Sequence, residues 1–145
     1  MQDKLKIIFP IHPRTKKNLL KFKLIHDIKT DNLIINEPVG YLEFLNLMIN
    51  SKLVLTDSGG IQEEASYLKI PVLTLRSNTE RPITIEKGTN NIVQRDLLKI
   101  EKYLDILLEN NYKKGQDIEN WDGLTAMRII NIIKEKLNYE SINVS

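Results

Sequence analysis

The stretch "LVLTDSGGIQEEA", residues 53–65, is the clearest indication of the fold, because a short apolar run passes there through two glycines into a helical pattern. Its β-branched start is typical of a buried strand, and the residues from Ile61 onward are typical of a helix. Backbone N–H groups at a helix N-terminus lack partners, so paired glycines there either form a tight turn or hold an anion. The residues alone leave both interpretations open.

Strand-like and helix-like patterns alternate on both sides of this stretch. Strands are predicted at 4–9, 32–36, 52–56, 71–75 and 90–93, and helices at 15–26, 41–50, 61–69, 96–110 and 123–138. Continuous apolar strands are typical of a parallel sheet that is buried on both faces and joined by right-handed crossovers. We therefore predict that residues 1–145 form a single domain of the α/β class, doubly wound around a mostly parallel sheet of about five strands. Thr15 is expected to open the first helix, and the polar stretch 110–123 is expected to be an ordered loop.

The composition excludes several classes of protein. Cysteine is absent, which rules out disulfides and thiolate metal sites and fits a cytoplasmic location. No apolar run approaches the length of a membrane span, so no membrane partner is expected. The first thirty residues carry eight Lys/Arg and two Asp, but this basic stretch is short and poor in aromatic residues. Duplex nucleic acid is therefore a poor fit, and no nucleic-acid partner is expected. Neither a metal nor a cofactor is expected.

Polar residues follow four of the five predicted strands, where ligands bind in doubly wound sheets. Ser58 is placed either to cap the next helix or to donate its hydroxyl to a phosphate. Glu63 or Glu64, one turn further on, is placed to accept hydrogen bonds from a ribose diol. Arg81 follows the fourth strand and His12 follows the first. These residue types equip the chain to bind a polar anion, whereas no Ser/His/Asp arrangement or pair of catalytic carboxylates is evident.

Five stretches taken together resemble the non-hydrolysing UDP-N-acetylglucosamine 2-epimerases: "FPIHPRTKK", "EPVGYLEFLNLM", "LVLTDSGGIQEEA", "PVLTLRSNTERPITIEKGTN" and "WDG". The resemblance implies a Rossmann-like domain equivalent to the C-terminal half of a two-domain, GT-B-like fold. It also implies the interconversion of UDP-GlcNAc and UDP-ManNAc, in which UDP is eliminated and then re-added after protonation on the opposite face at C2. No cofactor is implied.

The resemblance also implies roles for individual residues. Ser58, Gly59 and Gly60 would contact the phosphates of UDP. Glu64 would hold the ribose hydroxyls, and the backbone near Phe44 would meet the uracil. The ligand would be UDP or a UDP-N-acetylhexosamine.

Two further residues and the domain organisation complete what the resemblance implies. Arg81 would face the phosphates or the sugar, and His12 would face the substrate cleft or a neighbouring regulatory nucleotide site. No catalytic residue is identifiable in this chain, because the family's candidate acid–base carboxylates lie on an N-terminal domain that this sequence does not contain. We therefore expect the isolated chain to be inactive, a separate chain to be one source of the missing domain, and a homodimer to be the family's usual assembly.

Two alternative functions remain open from the sequence. One is the UDP-sugar-binding half of a GT-B glycosyltransferase, which the combination of "TDSGGIQEEA" with "TERP" disfavours. The other is a non-catalytic remnant or subunit that binds UDP. Leu124 departs from the family's pattern, since a lysine often follows "WDG" there, and "VQRD" at 93–96 lacks the usual glycine.

Overall fold

The computed structural model of the chain describes residues 5–24, 28 and 31–137, in which five strands alternate with six helices. The elements are β1 (Ile7–Pro10), α1 (Pro13–Lys21), β2 (Leu33–Asn36), α2 (Tyr41–Ile49), β3 (Val54–Thr56), α3 (Gly59–Tyr67), β4 (Val72–Thr74), α4 (Pro82–Glu86), β5 (Asn90–Ile92), α5 (Leu97–Leu108) and α6 (Thr125–Lys136). Within these described residues, no helix is both long and apolar enough to cross a membrane.

All the strand pairs are parallel, as predicted, but they form two sheets rather than one. β1 pairs with β2, and β4 lies between β3 and β5 in a three-stranded sheet. The connection between the sheets is apolar: Leu5, just before β1, packs against the buried cluster that contains Leu73 and Val93. Hydrophobic contact therefore joins β1 to the larger sheet, and no hydrogen-bonded ladder does so within the described residues.

Helices cover both faces of the three-stranded sheet. Val72 of β4 packs with Met48 and Ala65, which belong to α2 and α3. Leu73, the next residue, points to the opposite face and packs with Leu104 of α5. Since neighbouring side chains of a strand alternate between faces, one short strand contributes to two separate cores. This arrangement confirms the predicted doubly wound α/β fold.

Several helix boundaries differ from the prediction. α1 begins at Pro13 rather than Thr15, because the His12 side chain caps it; the predicted end at 26 lies outside the described residues. α3 begins at Gly59, so that both glycines belong to its first turn. α4 is a five-residue helix that was not predicted, and it starts at a proline, whose fixed φ suits the first helical position.

The polar connection between α5 and α6 is held by hydrogen bonds to β4 and α4. The Tyr112 hydroxyl donates to the carbonyl oxygen of Val72 at 2.8 Å, and the Lys113 ammonium donates to the carbonyl oxygen of Ile85 at 2.8 Å. Burial raises the pKa of the Tyr112 phenol to about 12 and lowers the pKa of Lys113. These contacts agree with the prediction of an ordered loop.

The last helix presents an apolar face to solvent. Ile129, Ile130, Ile133 and Leu137 are all exposed, and no residue of α6 is buried. Their spacing places them along one side of the helix. Exposed apolar stripes of this kind are typical of surfaces that pack against other protein.

Candidate functional site

The N-terminus of α3 presents unpaired backbone donors. The N–H of Ser58 donates to the Thr56 hydroxyl at 3.1 Å, and the first intrahelical bond runs from the N–H of Gln62 to the carbonyl of Ser58. Ser58 occupies the N-cap position, but its side chain makes no capping hydrogen bond. Within the described residues, the N–H groups of Gly59, Gly60 and the following residue therefore have no acceptor.

Neither turn geometry nor packing requires glycine at the start of α3. Gly123 is the glycine with positive φ among the described residues, so Gly59 and Gly60 have backbone angles that any residue adopts. A Cβ added at either would meet no atom within 4 Å, whereas one added at Gly88 would lie 2.5 Å from the Thr84 carbonyl oxygen. Because these two positions carry no Cβ, a ligand can come close to the three N–H groups at the positive end of the helix dipole.

The two glutamates of α3 have different surroundings. Oε1 of Glu63 lies 2.9 Å from Nε of Arg81, close enough for an ion pair but without the alignment of a hydrogen bond. Glu64 is half-buried, and its carboxylate has no hydrogen bond or ion pair within the part of the chain that the structure describes. The carboxylate of Glu64 is therefore available to accept hydrogen bonds from hydroxyl groups, while that of Glu63 holds a side chain of the site.

The turn after β4 places Arg81 beside α3. Arg81 is the N-cap residue of α4, and its N–H donates to the Thr79 hydroxyl at 3.0 Å. Its carbonyl oxygen accepts a hydrogen bond of 2.7 Å from the Thr84 hydroxyl. Sequence reasoning found Arg81 but missed the fully buried Gln62 and Asn90 beneath it. Polar residues at the inner positions of a helix and a strand were the signal that could have revealed them.

His12 and Phe44 lie on other elements. Nδ1 of His12 accepts the N–H of Arg14 at 3.2 Å, which leaves the proton of the neutral ring on Nε2. The N–H of Phe44 donates to the carbonyl of Gly40, the N-cap residue of α2, and Phe44 packs against the buried cluster that contains Ala65. No hydrogen bond or ion pair among the described residues joins either one to the group formed by α3 and Arg81.

The "WDG" stretch shapes the start of α6. Asp122 accepts two hydrogen bonds from the Arg128 guanidinium, both at 2.9 Å, and a third from the N–H of Leu124. The guanidinium holds the pKa of Asp122 well below its usual range. Gly123 has a φ of +78°, a conformation that favours glycine. The structure thus gives this stretch a role in starting a helix.

The arrangement around α3 suits an anionic ligand that also carries hydroxyl groups. Backbone donors and the helix dipole favour negative charge at the glycines, and the Arg81 guanidinium lies beside the same helix. The Glu64 carboxylate adds an acceptor about one turn along. No group of three or more His, Asp or Glu residues able to hold a metal ion occurs among the residues searched, which are those described.

Comparisons with known proteins all give the same family. The pattern of the UDP-N-acetylglucosamine 2-epimerase family matches residues 1–134. The UDP-N-acetylglucosamine 2-epimerase of Methanocaldococcus jannaschii is 50% identical over 128 residues, which are 88% of this chain and 34% of that protein. The enzyme of Methanococcus maripaludis is 46% identical over 128 residues, again 88% of this chain and 34% of the relative. The chain therefore spans about a third of the length of these relatives.

A solved structure extends the likeness to three dimensions. The Methanocaldococcus jannaschii UDP-GlcNAc 2-epimerase, crystallised in complex with UDP-GlcNAc and UDP, matches with a TM-score of 0.76 and 48% identity. The match covers 89% of this chain and 35% of that one. It confirms the predicted fold class, and the family resemblance seen in the sequence is confirmed as well.

Proposed function

The chain belongs to the UDP-N-acetylglucosamine 2-epimerase family, and we propose that it is the UDP-binding domain of such an epimerase. The observation that carries the proposal is the N-terminus of α3. Gly59 and Gly60 are required there by neither φ nor packing, and they flank backbone N–H groups that have no acceptor among the described residues. Such a site suits the diphosphate of UDP, whose negative charge the helix dipole favours.

The remaining contacts follow from the orientation that this diphosphate would impose. Glu64 accepts hydrogen bonds from the ribose hydroxyls, since its carboxylate is not engaged elsewhere in the described residues. Arg81 meets the phosphates or the sugar, and Glu63 holds its guanidinium. The uracil lies by the first turn of α2. The N–H of Phe44 already donates a hydrogen bond to Gly40, so the backbone contact with the uracil comes from the residues just before Phe44. His12 offers Nε2–H to the sugar side of the cleft or to a neighbouring nucleotide.

We further propose that epimerisation needs a second domain. Inverting C2 requires proton transfer on both faces of the sugar, and such groups must be within hydrogen-bond reach of the proton. Of the two α3 carboxylates, Glu63 is paired with Arg81 and Glu64 is assigned to the ribose. The third of the relatives' length that the chain spans and the exposed apolar face of α6 both support a partner domain, on the same or a separate chain, within a cytoplasmic enzyme.

Calorimetric titration of the chain with UDP tests the binding proposal, with uridine and CDP as matched controls. Uridine retains the ribose and base but lacks the diphosphate, and CDP changes only the base. We expect UDP to bind most tightly, with the largest loss for uridine, because the charged contacts at α3 are gone. Equal affinity for UDP and uridine would contradict an anion site at the glycines.

A chimaera tests the enzymatic proposal. In it, this chain replaces the matching third of the Methanocaldococcus jannaschii relative, to which it is 50% identical. Incubation of UDP-GlcNAc in heavy water should introduce deuterium at C2 with the chimaera and not with the isolated chain. The same chimaera carrying Glu64→Ala is the control for turnover through this domain. Deuterium incorporation by the isolated chain would contradict the need for a second domain.

A further inference from the structure

A cluster of polar side chains lies beneath the turn that carries Arg81. Its members come from five different parts of the fold, and they are Gln62, Thr74, Thr79, Thr84 and Asn90. Gln62 on α3 and Asn90 on β5 are fully buried. Buried polar groups cost free energy unless they are hydrogen-bonded, and the bonds of this cluster offset that cost except at Nε2 of Gln62, which has no partner within the described residues.

The cluster reaches the N–H of Arg81 through Gln62. Oε1 of Gln62 accepts a hydrogen bond of 2.6 Å from the Thr79 hydroxyl. The same hydroxyl oxygen accepts the N–H of Arg81 at 3.0 Å. Two consecutive hydrogen bonds therefore connect the inner face of α3 with the backbone of Arg81.

The cluster reaches the carbonyl of Arg81 through Asn90. Nδ2 of Asn90 donates to Oε1 of Gln62 at 3.1 Å and to the Thr84 hydroxyl at 3.0 Å. That hydroxyl donates to the carbonyl oxygen of Arg81 at 2.7 Å. Both backbone polar groups of Arg81 are thus held by hydroxyls that bond to the Gln62–Asn90 pair, so the backbone has two fixed points on either side of its Cα.

Stability alone does not call for such a cluster. When both members of a buried hydrogen-bonded pair are replaced by apolar groups of the same shape, stability changes little. Gln62 lies on the helix that carries the unpaired N–H groups, two residues after Gly60 and one before Glu63, which contacts the Arg81 side chain. The helix that would hold the anion therefore also determines where the backbone of Arg81 lies.

We propose that Gln62 is a positioning residue of the UDP site, acting through Thr79 and Asn90 to fix Arg81 in register with the N-terminus of α3. The inference rests on the proposed UDP site and adds a specificity device to it. Positioning a guanidinium in advance lowers the entropic cost of binding the diphosphate. The positioning of Arg81 affects the affinity for the charged diphosphate, so the affinity for uridine does not depend on it.

Substitutions at Thr79 test the proposal without disturbing α3. Thr79→Val keeps the shape but removes the hydroxyl that joins Gln62 to Arg81, and Thr79→Ser restores the hydroxyl. We expect Thr79→Val and Gln62→Met to raise the Kd for UDP about three- to ten-fold, the worth of one neutral hydrogen bond, and to leave the Kd for uridine unchanged. Thr79→Ser should bind UDP like the parent.

Ser66→Ala provides a matched control. Ser66 lies one turn after Gln62 on the same helix, is equally buried, and its hydroxyl has no hydrogen bond within the described residues. We expect this variant to bind UDP and uridine like the parent. If Thr79→Val binds UDP as tightly as the parent, or loses affinity for UDP and uridine equally, the positioning role is wrong.

Amide hydrogen exchange in the free protein separates this proposal from the proposed function. The Arg81 amide should exchange faster in Gln62→Met and in Thr79→Val than in the parent. The Leu75 amide, which donates to the carbonyl of Thr56 at 2.8 Å, should be unchanged and reports on the fold. Unchanged exchange at Arg81 in Gln62→Met overturns the relay, even if UDP binds; a parent that does not bind UDP overturns the proposed function instead.

Discussion

Glu63 and Glu64 are neighbours in sequence, yet the structure gives them different roles. An α-helix turns by about 100° per residue, so the two carboxylates leave α3 in different directions. One meets the guanidinium of Arg81, and the other is free of hydrogen bonds and ion pairs within the described residues. Both acids lie beyond the first turn of α3, where the dipole favours negative charge, so only their surroundings separate a ligand-binding carboxylate from a supporting one.

Glu64→Ala should weaken binding of both UDP and uridine by about 1.5–3 kcal/mol, the range for charged hydrogen bonds, because both ligands carry the ribose. Glu63→Ala should cost less and should affect UDP alone, since it acts through Arg81. A 2′,3′-dideoxy analogue of UDP should show little further loss with Glu64→Ala. Equal losses for the two variants, measured by titration with the fold intact, contradict the assignment.

The glycines allow a test in which stability and binding change in opposite directions. Gly60→Ala meets no steric obstacle, and we expect the free energy of unfolding to rise by about 0.4–1 kcal/mol while UDP binding weakens. Gly88→Ala is the contrasting variant. Its Cβ would lie 2.5 Å from the Thr84 carbonyl oxygen, so it should lower stability by about 1–3 kcal/mol. Urea unfolding of both variants, with UDP titration of Gly60→Ala, checks this; a Gly60→Ala that unfolds more easily than the parent supports a structural role instead.

Among the elements, α1 shows how a site residue can also be a structural one. His12 caps the helix through Nδ1, and Nε2 remains for a ligand. His12→Asn should keep the cap, since Asn is a favoured N-cap residue, and should remove the imidazole. His12→Ala should lose both, at a cost of up to about 1 kcal/mol in stability. If His12→Asn preserves both stability and UDP-sugar affinity, the residue serves the helix alone.

The sequence predicted long, periodic elements well and short or context-dependent ones poorly. Strand–helix alternation placed β1 to β4 because each of these strands has its own apolar run, and it placed β5 although Asn90–Ile92 contains one apolar residue. α4 was missed because five residues are too few to show helical periodicity. The cap of α1 was misassigned to Thr15, a commoner N-cap residue than His12. The contact between Glu63 and Arg81 joins α3 to the start of α4. The two residues are far apart in the sequence, so no local sequence pattern predicts the contact.

The division of the strands between two sheets was also beyond the sequence. Whether β1 and β3 form a ladder depends on tertiary packing, and both strands have the apolar pattern that pairing requires. The structure instead links them through Leu5 and the cluster around Leu73. Of the seven predicted site residues, four lie in or next to the first turns of α3, and Arg81 contacts Glu63 of that helix. The other two lie on α2 and just before α1, and the ligand contacts of all seven stay predictions.

At the scale of the whole molecule, the polar connection before α6 couples stability to pH. The pKa of Tyr112 is raised to about 12 in the folded chain, above the value of about 10 for a free phenol. The folded state therefore binds its proton more tightly than the unfolded state. The resulting stability is fully present below about pH 10 and is lost as the pH rises towards about 12.

Tyr112→Phe tests this coupling. It should lower the free energy of unfolding by about 1–2 kcal/mol near pH 8, because the hydroxyl's bonds to Val72 and Asn91 are lost. The difference from the parent should shrink above about pH 10. The pKa of Lys113 is lowered, so Lys113 makes stability rise with pH, which is opposite to the effect of Tyr112. Lys113 is present in both the parent and Tyr112→Phe, so the difference between their free energies of unfolding reports on Tyr112. A constant difference between about pH 8 and about pH 11 in urea unfolding excludes the coupling.

A UDP titration of the isolated chain, followed by the backbone amide resonances, tests the proposed UDP site at the level of single residues. We expect saturable shifts that are largest at Gly59, Gly60 and Ile61, where the N–H groups would meet the diphosphate, and smaller shifts at Arg81. Uridine at the same concentration should leave the amide resonances of Gly59 and Gly60 unshifted. Absence of saturable shifts in a folded chain at about 10 mM UDP, or shifts centred away from the N-terminus of α3, would contradict the proposed UDP site.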